Sequence, residues 1–597
     1  MRSFGQRIAG WWLTTLFFLL PLKFGTLGTM PEQPPMFPED LLTLLVISWP
    51  PHFAGVIGAL LLGASVLLFP APRWRSPGGM TALFWGILLP LAALPGILSG
   101  TNADYVSVNV AHWFGIGAFV LSAWWIFSAA PCWKKMALHA LAAGVLVTGI
   151  DAWRQYFWGF EEMQEMIRRQ REAGIDISPV MEIRIMDSRV FASLGSCNTY
   201  AGFLLLGIPL TLAVVQSWAK RFEPVRVSLV LFTAAAGGLL IPALLMTRSR
   251  GAWLCAFGTA VLFFFFKVKV KKIYKAVTLA AALFLLAGAF IVMQRSGRGL
   301  LSGAERLDYL RSSAIICSEH PLAGAGWGEF FHRHMQLKRS SSDEAARSPH
   351  NFVANFAVHA GLFSGLIALG ALAVLLFELF RAKEEDAVLR WGRLGAAAFL
   401  LHSLMELNDA IPASMICCAA GALALLPASQ EELEPSASAG TGYLKGAAVA
   451  GALLIGVAGF YTNLRWLQSE AAFEELELTL RPRNPEGGVM APEPLKVMRL
   501  LDRFCRLRPG SPYGLEMAGD FFLHTGDIDN AEKLFKRSLE LVPARPAAHR
   551  RMALVACHKG NMDLARKHLA VARSLFPADP KNQEKDFFER WERSGSK

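Results

Sequence analysis

The chain has 597 residues, 53% of them hydrophobic and only 18% charged, with a formal net charge of +12. So little charge at this length excludes an ordinary soluble globular protein. The apolar residues come in blocks of roughly 17–25, the length a helix needs to cross the hydrocarbon core of a bilayer, whereas everything after about residue 464 reads as soluble.

In chain order the blocks occupy roughly 8–27, 42–70 (broken by Pro50-Pro51), 80–98, 108–130, 136–157, 191–217, 226–246, 251–267, 274–293, 351–380, 392–408, 411–427 and 443–463. The first is too long for a cleavable signal peptide and lacks a small-residue cleavage site. The expected fold is all-α: a polytopic membrane protein with about 12–13 transmembrane helices and a soluble helical tail. Three divisions follow. Residues 1–190 form N-terminal spans and a loop, 191–463 a transmembrane core with a large loop at 294–350, and 464–597 the tail.

Orientation is read from Lys and Arg in the short loops. They are in excess in MRSFGQR, 72–76, 133–135, 219–226 and 267–272, nearly balanced by acids in 381–393, and absent from the alternate loop PEQPPMFPED. The N-terminus is therefore expected in the cytoplasm and the tail in the periplasm of a bacterial inner membrane. One segment on the cytoplasmic side, EELEPSASAG, is acidic against the rule.

The tail carries an internal repeat. Pro509, Pro543 and Pro577 are 34 residues apart, as are Val497, Ala531 and Ala565, and Gly526 and Gly560 keep the same step. A 34-residue period with Gly at the inter-helix turn and a closing Pro is the tetratricopeptide pattern, so an α-solenoid with a concave surface for a protein partner is expected. The eight cysteines contain no CxxC pair and call for neither a zinc site nor a disulfide; Cys505 and Cys557 read as small helix-core residues.

The anomaly is arginine on the side where the positive-inside bias should deplete it. Arg184 and Arg189 close the loop before the block at 191. Arg248 and Arg250 sit in the tight turn TRSRG, and the 294–350 loop holds Arg295, Arg298, Arg306, Arg311, Arg333, Arg339 and Arg347. Arginine at that depth is costly unless it pairs or meets an anion. Glu305, Asp308 and Asp187 are available as partners, but Arg248 and Arg250 have no acid nearby in sequence. An anionic phosphate or diphosphate suits the guanidinium fork. His350 closes the loop. A lone histidine beside a span is ordinarily structural, but its neighbours change that estimate.

Those neighbours are EHPLAGAGWGEF (319–330) and SPHNFVANFAVHAGLFSGL (348–366), with SRVFASLGSCNTYAGFLLLGIPL (188–210), TRSRGAW (247–253), SGAERLDYLRSS (302–313) and HSLMELNDAIPAS (402–414) around them. In this order and around a large loop, the strings resemble the O-antigen ligase family and its related glycan polymerases and oligosaccharyltransferases over residues 185–427. The chain departs from the family pattern at Glu305-Arg306, where Gly-Arg is usual, and at Ser196-Cys197-Asn198, where Asn-Pro-Asn is usual.

The resemblance implies a GT-C arrangement and an inverting glycosyltransferase. Such an enzyme moves a glycan from undecaprenyl diphosphate to a hydroxyl on a glycan, lipid or protein acceptor, lipid A core for a ligase. It implies His350 as the base, Arg250 and Arg306 as first choices for the diphosphate, and Arg189 and Arg248 next, with no metal, cofactor or nucleic acid. A polymerase or protein O-oligosaccharyltransferase would use the same donor. A membrane scaffold working through its repeats is the non-enzymatic alternative.

Overall fold

The computed structural model describes residues 3–31, 36–38, 40–72, 78–172, 185–267, 271, 273–274, 298–339, 346–382, 386–427, 442–480, 493–577 and 580–595. All but the first residue of the block expected at 274–293, the acidic segment EELEPSASAG, Arg184 and Arg295 lie outside them. Every regular element among the described residues is helical.

Seven helical segments are long and apolar enough to cross a membrane, which marks a multi-pass membrane protein. They are Pro51–Leu68, Gly79–Ser99, Ala103–Ala129, Cys132–Arg169, Cys197–Ala219, Val225–Met246 and Leu362–Arg381. The expectation of about 12–13 spans is larger than the described residues carry. Two of the missing spans are short for a physical reason. Ala387–His402 has 16 residues and Pro412–Leu425 has 14, and all fourteen of the latter are buried. At 1.5 Å per residue a helix of that length falls short of a ~30 Å core, so other helices must shield its ends.

We label the principal helices α1 (Phe4–Lys23), α2 (Pro51–Leu68), α3 (Ala103–Ala129), α4 (Cys132–Arg154), α5 (Cys197–Ala219), α6 (Val225–Met246) and α7 (Arg250–Lys267). The large loop carries α8 (Arg298–Glu319) and α9 (Glu329–Leu337), followed by α10 (Phe352–Ala360), α11 (Leu362–Arg381), α12 (Ala387–His402), α13 (Pro412–Leu425) and α14 (Gly442–Leu480). The α3 helix runs through the middle, with 94% of its apolar window buried. It meets α2 where Gly55 and Gly115 let the backbones touch, since a Cβ on Gly115 would sit 2.8 Å from the Gly55 Cα.

The 42–70 block is broken as expected: Leu41–Val46 is a short helix of its own, and α2 starts afresh at Pro51, where the missing N–H has no helical partner to lose. Other expected boundaries shift. The block at 351–380 divides at Gly361, whose φ of +95° no L side chain adopts readily. A Cβ there would lie 2.0 Å from the Leu322 carbonyl oxygen, so the 320–324 turn occupies the space. No break separates membrane core from tail at 463, because α14 runs unbroken for 39 residues across that point.

The tail comprises α15 (Pro494–Leu507), α16 (Pro512–His524), α17 (Ile528–Leu541), α18 (Pro546–His558), α19 (Met562–Leu575) and α20 (Glu584–Gly595). The pair α16–α17 recurs as α18–α19 at the 34-residue step of the sequence, from Pro512 to Pro546 and from Ile528 to Met562. Helix ends of the core gather at the pole where the tail sits. There Gly28 donates its N–H to the Ala410 carbonyl at 2.8 Å, Val190 to Met246 at 3.3 Å, and Phe352 to Ser403 at 2.9 Å.

Candidate active site

The site is assembled around the segment 403–411 that joins α12 to α13 and carries Glu406. Its carboxylate is 4% exposed, and a carboxylate at that depth must be compensated by charge and hydrogen bonds. The compensation comes from three distant parts of the chain. Arg306, on α8, ion-pairs through Nη2 with Glu406 Oε1. Asn198, in the first turn of α5, donates Nδ2 to the same oxygen at 3.0 Å. His350 presents Nδ1 to Oε2 at 3.4 Å.

Behind Asn198 lies Arg189, which donates Nη2 to Asn198 Oδ1 at 2.8 Å and Nε to the Thr247 carbonyl at 2.9 Å. Arg248 closes the row by pairing with Asp187 Oδ1 at 3.3 Å, and the other Asp187 oxygen lies 3.9 Å from Arg189. One polar chain therefore runs from Arg248 through Asp187, Arg189 and Asn198 to Glu406, and ends on Arg306 and His350. The side chains of Arg189, Arg306 and His350 are 28%, 29% and 28% exposed. Arg306 and His350 reach solvent while Glu406 does not, and Arg189 and Arg248 share the half-exposed Asp187, so the accessible face carries more positive than negative charge.

Local backbone holds His350 in place. Its φ is +52°, uncommon for a residue with a side chain and a mark of strain held by its surroundings. Asn351 caps α10 by accepting the Ala354 N–H at 2.9 Å and donates Nδ2 to the Leu404 carbonyl at 2.8 Å. The His350 turn is thus fastened to the segment bearing Glu406. The imidazole stacks on Tyr309 of α8, with ring centroids 5.3 Å apart. Among the other histidines of this region, His402 borders the site, with Nε2 3.8 Å from where a Gly251 Cβ would sit and Nδ1 against Asn408 Nδ2 at 3.1 Å. His334 is buried against Ser312, His359 is buried against the Gly326 carbonyl at 2.8 Å, and burial pushes His332 down to about 4.

Of the residues singled out from sequence, the structure brings together His350, Arg306 and Arg189, and adds Arg248 through Asp187. Arg248, without an acid near it in sequence, finds one 61 residues away. Arg250 stands apart. It is exposed at the start of α7 and forms no ion pair among the described residues. Its neighbour Gly251 borders the site, where a Cβ would be 3.6 Å from Arg306 Nη1. Asp308 is occupied by Arg339 Nε at 2.9 Å to each oxygen.

Sequence reasoning missed Glu406, the group on which the others converge. The signal was present, since an acid alone in the apolar stretch 394–408 is costly and marks a site. Asp187 was weighed only as a neutralising partner, and Tyr309 and the role of Asn198 were not legible. No group of three or more His, Cys, Asp or Glu among the described residues is placed to hold a metal.

Residues 235–369 match the O-antigen ligase family model. The matched stretch contains Arg248, Arg250, Arg306 and His350, and excludes Arg189, Asn198 and Glu406. It supports membership of the O-antigen ligase and polymerase-like superfamily and a glycosyltransferase-like function. No curated protein matches the chain.

Proposed function

We propose that this protein is an O-antigen ligase-type glycosyltransferase, which moves a glycan from undecaprenyl diphosphate to a hydroxyl acceptor such as lipid A core at the periplasmic face of the inner membrane. The observation that carries this reading is the convergence of His350 and Arg306 on one buried carboxylate, with both side chains open to solvent.

A carboxylate only accepts hydrogen bonds, so Glu406 favours the proton on His350 Nδ1 and leaves Nε2 as the basic nitrogen. In the proposed step the acceptor oxygen forms a bond to the anomeric carbon as the carbon–oxygen bond to the diphosphate breaks. The departing oxygen keeps the electron pair, the hydroxyl proton passes to Nε2, and the anomeric configuration inverts. Arg306 and Arg189, with Arg248 and Arg250 at the rim, would hold the diphosphate and stabilise the charge it gains. Each is proposed to act as a fixed positive group needing no reorganisation during transfer.

The repeated helix pairs support a tetratricopeptide solenoid in the tail, and the loop charges support its periplasmic placement. A polymerase or protein O-oligosaccharyltransferase would need the same donor chemistry with another acceptor. The deciding experiment is surface-glycan display in a deletion strain complemented with wild type, His350→Ala or Arg306→Ala, with membrane insertion checked by blot. Glycan stranded on its lipid carrier in both variants supports transfer, with a loss of about a hundredfold or more for each. The length of the stranded chain separates ligase from polymerase. Full display with both variants overturns the site and brings the scaffold reading forward.

A further inference from the structure

A second site lies away from the arginine row, where the tail joins the bundle. A cavity of about 360 Å3 is enclosed by the first turns of α3, the 461–469 stretch of α14 and the Arg508–Gly510 turn after α15. That volume is within the range of small-molecule and lipid pockets. Its walls are largely apolar, with Ile97, Val106, Val110 and Trp466 among them.

Two cations line it. Arg508 is 6% exposed and stacks its guanidinium on the Trp466 ring at 3.7 Å. Its nearest carboxylate is Asp104, 3.9 Å away and beyond hydrogen-bonding distance. The Arg508 Nε and Nη1 atoms are buried with no hydrogen-bond partner among the described residues. The guanidinium is thus incompletely compensated beside the cavity it lines, and its charge favours an anion there. Arg465 is on the same wall, exposed, bonded only to the Tyr461 hydroxyl at 3.0 Å and unpaired with any acid among the described residues. Glu470 lies deeper against His52 and does not line the cavity. The lining thus presents two guanidiniums against one carboxylate, a surplus of one positive charge.

The surroundings are those of a lipid surface. Leu98, next in sequence to the lining residue Ile97, and Val457, one helical turn before the lining residue Tyr461, are 84% and 69% exposed, and Tyr461 and Trp466 stand at the height where α14 passes from apolar to charged sequence. Free phosphate would leave the apolar walls unused, and a diphosphate would bring more charge than the lining balances.

We propose that this cavity binds an anionic phospholipid, its phosphodiester on Arg508 and Arg465 and the start of one acyl chain against Val106, Val110 and Trp466. The lipid fills the seam between α3, α14 and the tail, and fastens the tail to the membrane surface.

The test is native mass spectrometry of the full chain, purified in detergent and incubated with phosphatidylglycerol, phosphatidylcholine or inorganic phosphate. Wild type should retain one phosphatidylglycerol, and phosphatidylcholine about fivefold less. Arg465→Ala, at an exposed position, should lower retention about fivefold. Ser107→Trp, which fills the mouth from an exposed position on α3, should abolish it, with thermal unfolding confirming that both variants fold. The proposal fails if wild type retains no lipid, if both lipids are held equally, or if neither substitution changes retention. Displacement of phosphatidylglycerol by inorganic phosphate at matched concentration also overturns it in favour of a simple anion site. The readout is independent of glycan transfer, so it stands or falls separately from the proposed enzymatic function.

Discussion

At the residue scale, Glu406 carries more of the site than any arginine does. Its single carboxylate accepts from Asn198, pairs with Arg306 and faces His350, so three segments far apart in sequence depend on one charge. Glu406→Gln keeps the shape and removes the charge, which leaves Arg306 unneutralised and frees the His350 tautomer. The expected result is a loss of at least about tenfold in glycan transfer, since a positioned base is worth 10²–10⁴-fold. Combining it with His350→Ala should cost little beyond His350→Ala alone, because the two act as a unit. Independent, multiplicative losses in a membrane transfer assay would show that Glu406 works without His350.

At the scale of elements, Gly361 decides where the loop ends and a span begins. Its positive φ and its contact with the 320–324 turn detach α10 from α11. They hold the nine residues of α10 at the site pole. There Asn355 donates Nδ2 to Asp409 Oδ2 at 2.7 Å, so α10 also braces the segment that bears Glu406. Gly361→Ala must move either the backbone or the 320–324 turn and should destabilise the protein by roughly 1–3 kcal/mol. A lower unfolding temperature in detergent, with transfer activity falling in parallel, is the expected outcome. Unchanged stability would mean that the turn yields at no cost.

At the scale of the whole molecule, the tail rests on the loop that leads to His350. Phe576 meets Phe331 of α9 edge-on, with centroids 5.8 Å apart, and Lys338 lies over the Phe576 ring at 5.9 Å. Arg347, three residues before His350, bonds the Tyr105 hydroxyl at 3.4 Å and lies over the Phe331 ring at 5.9 Å. A tail packed this way restrains the loop by burying apolar surface at its outer edge. Phe576→Ala should therefore speed trypsin cleavage after Lys338 and Arg339 severalfold while the membrane helices stay intact, since cleavage follows local opening. Equal cleavage rates in wild type and variant would show that the tail does not restrain the loop.

Sequence by itself determined the class of the molecule: apolar blocks of spanning length, a charged tail with a 34-residue period, and arginines collected toward one pole. These properties are local or additive, because hydrophobic length, helical period and loop charge need no knowledge of what touches what. Only the tertiary structure decided which charges meet. Asp187 and Arg248 are 61 residues apart, Arg306 and Glu406 are 100, and Asn198 and Glu406 are 208. Pairing over such distances is set by how helices pack, which one-dimensional periodicity does not encode. The same holds for the seam cavity, where Asp104 and Arg508 come within 3.9 Å from opposite ends of the chain. Among the described residues, fewer segments have spanning length and composition than the 12–13 expected, for a related reason. Burial by neighbours lets helices of 14 and 16 residues stand inside the bundle, and apolar composition alone does not separate a helix facing lipid from one facing protein.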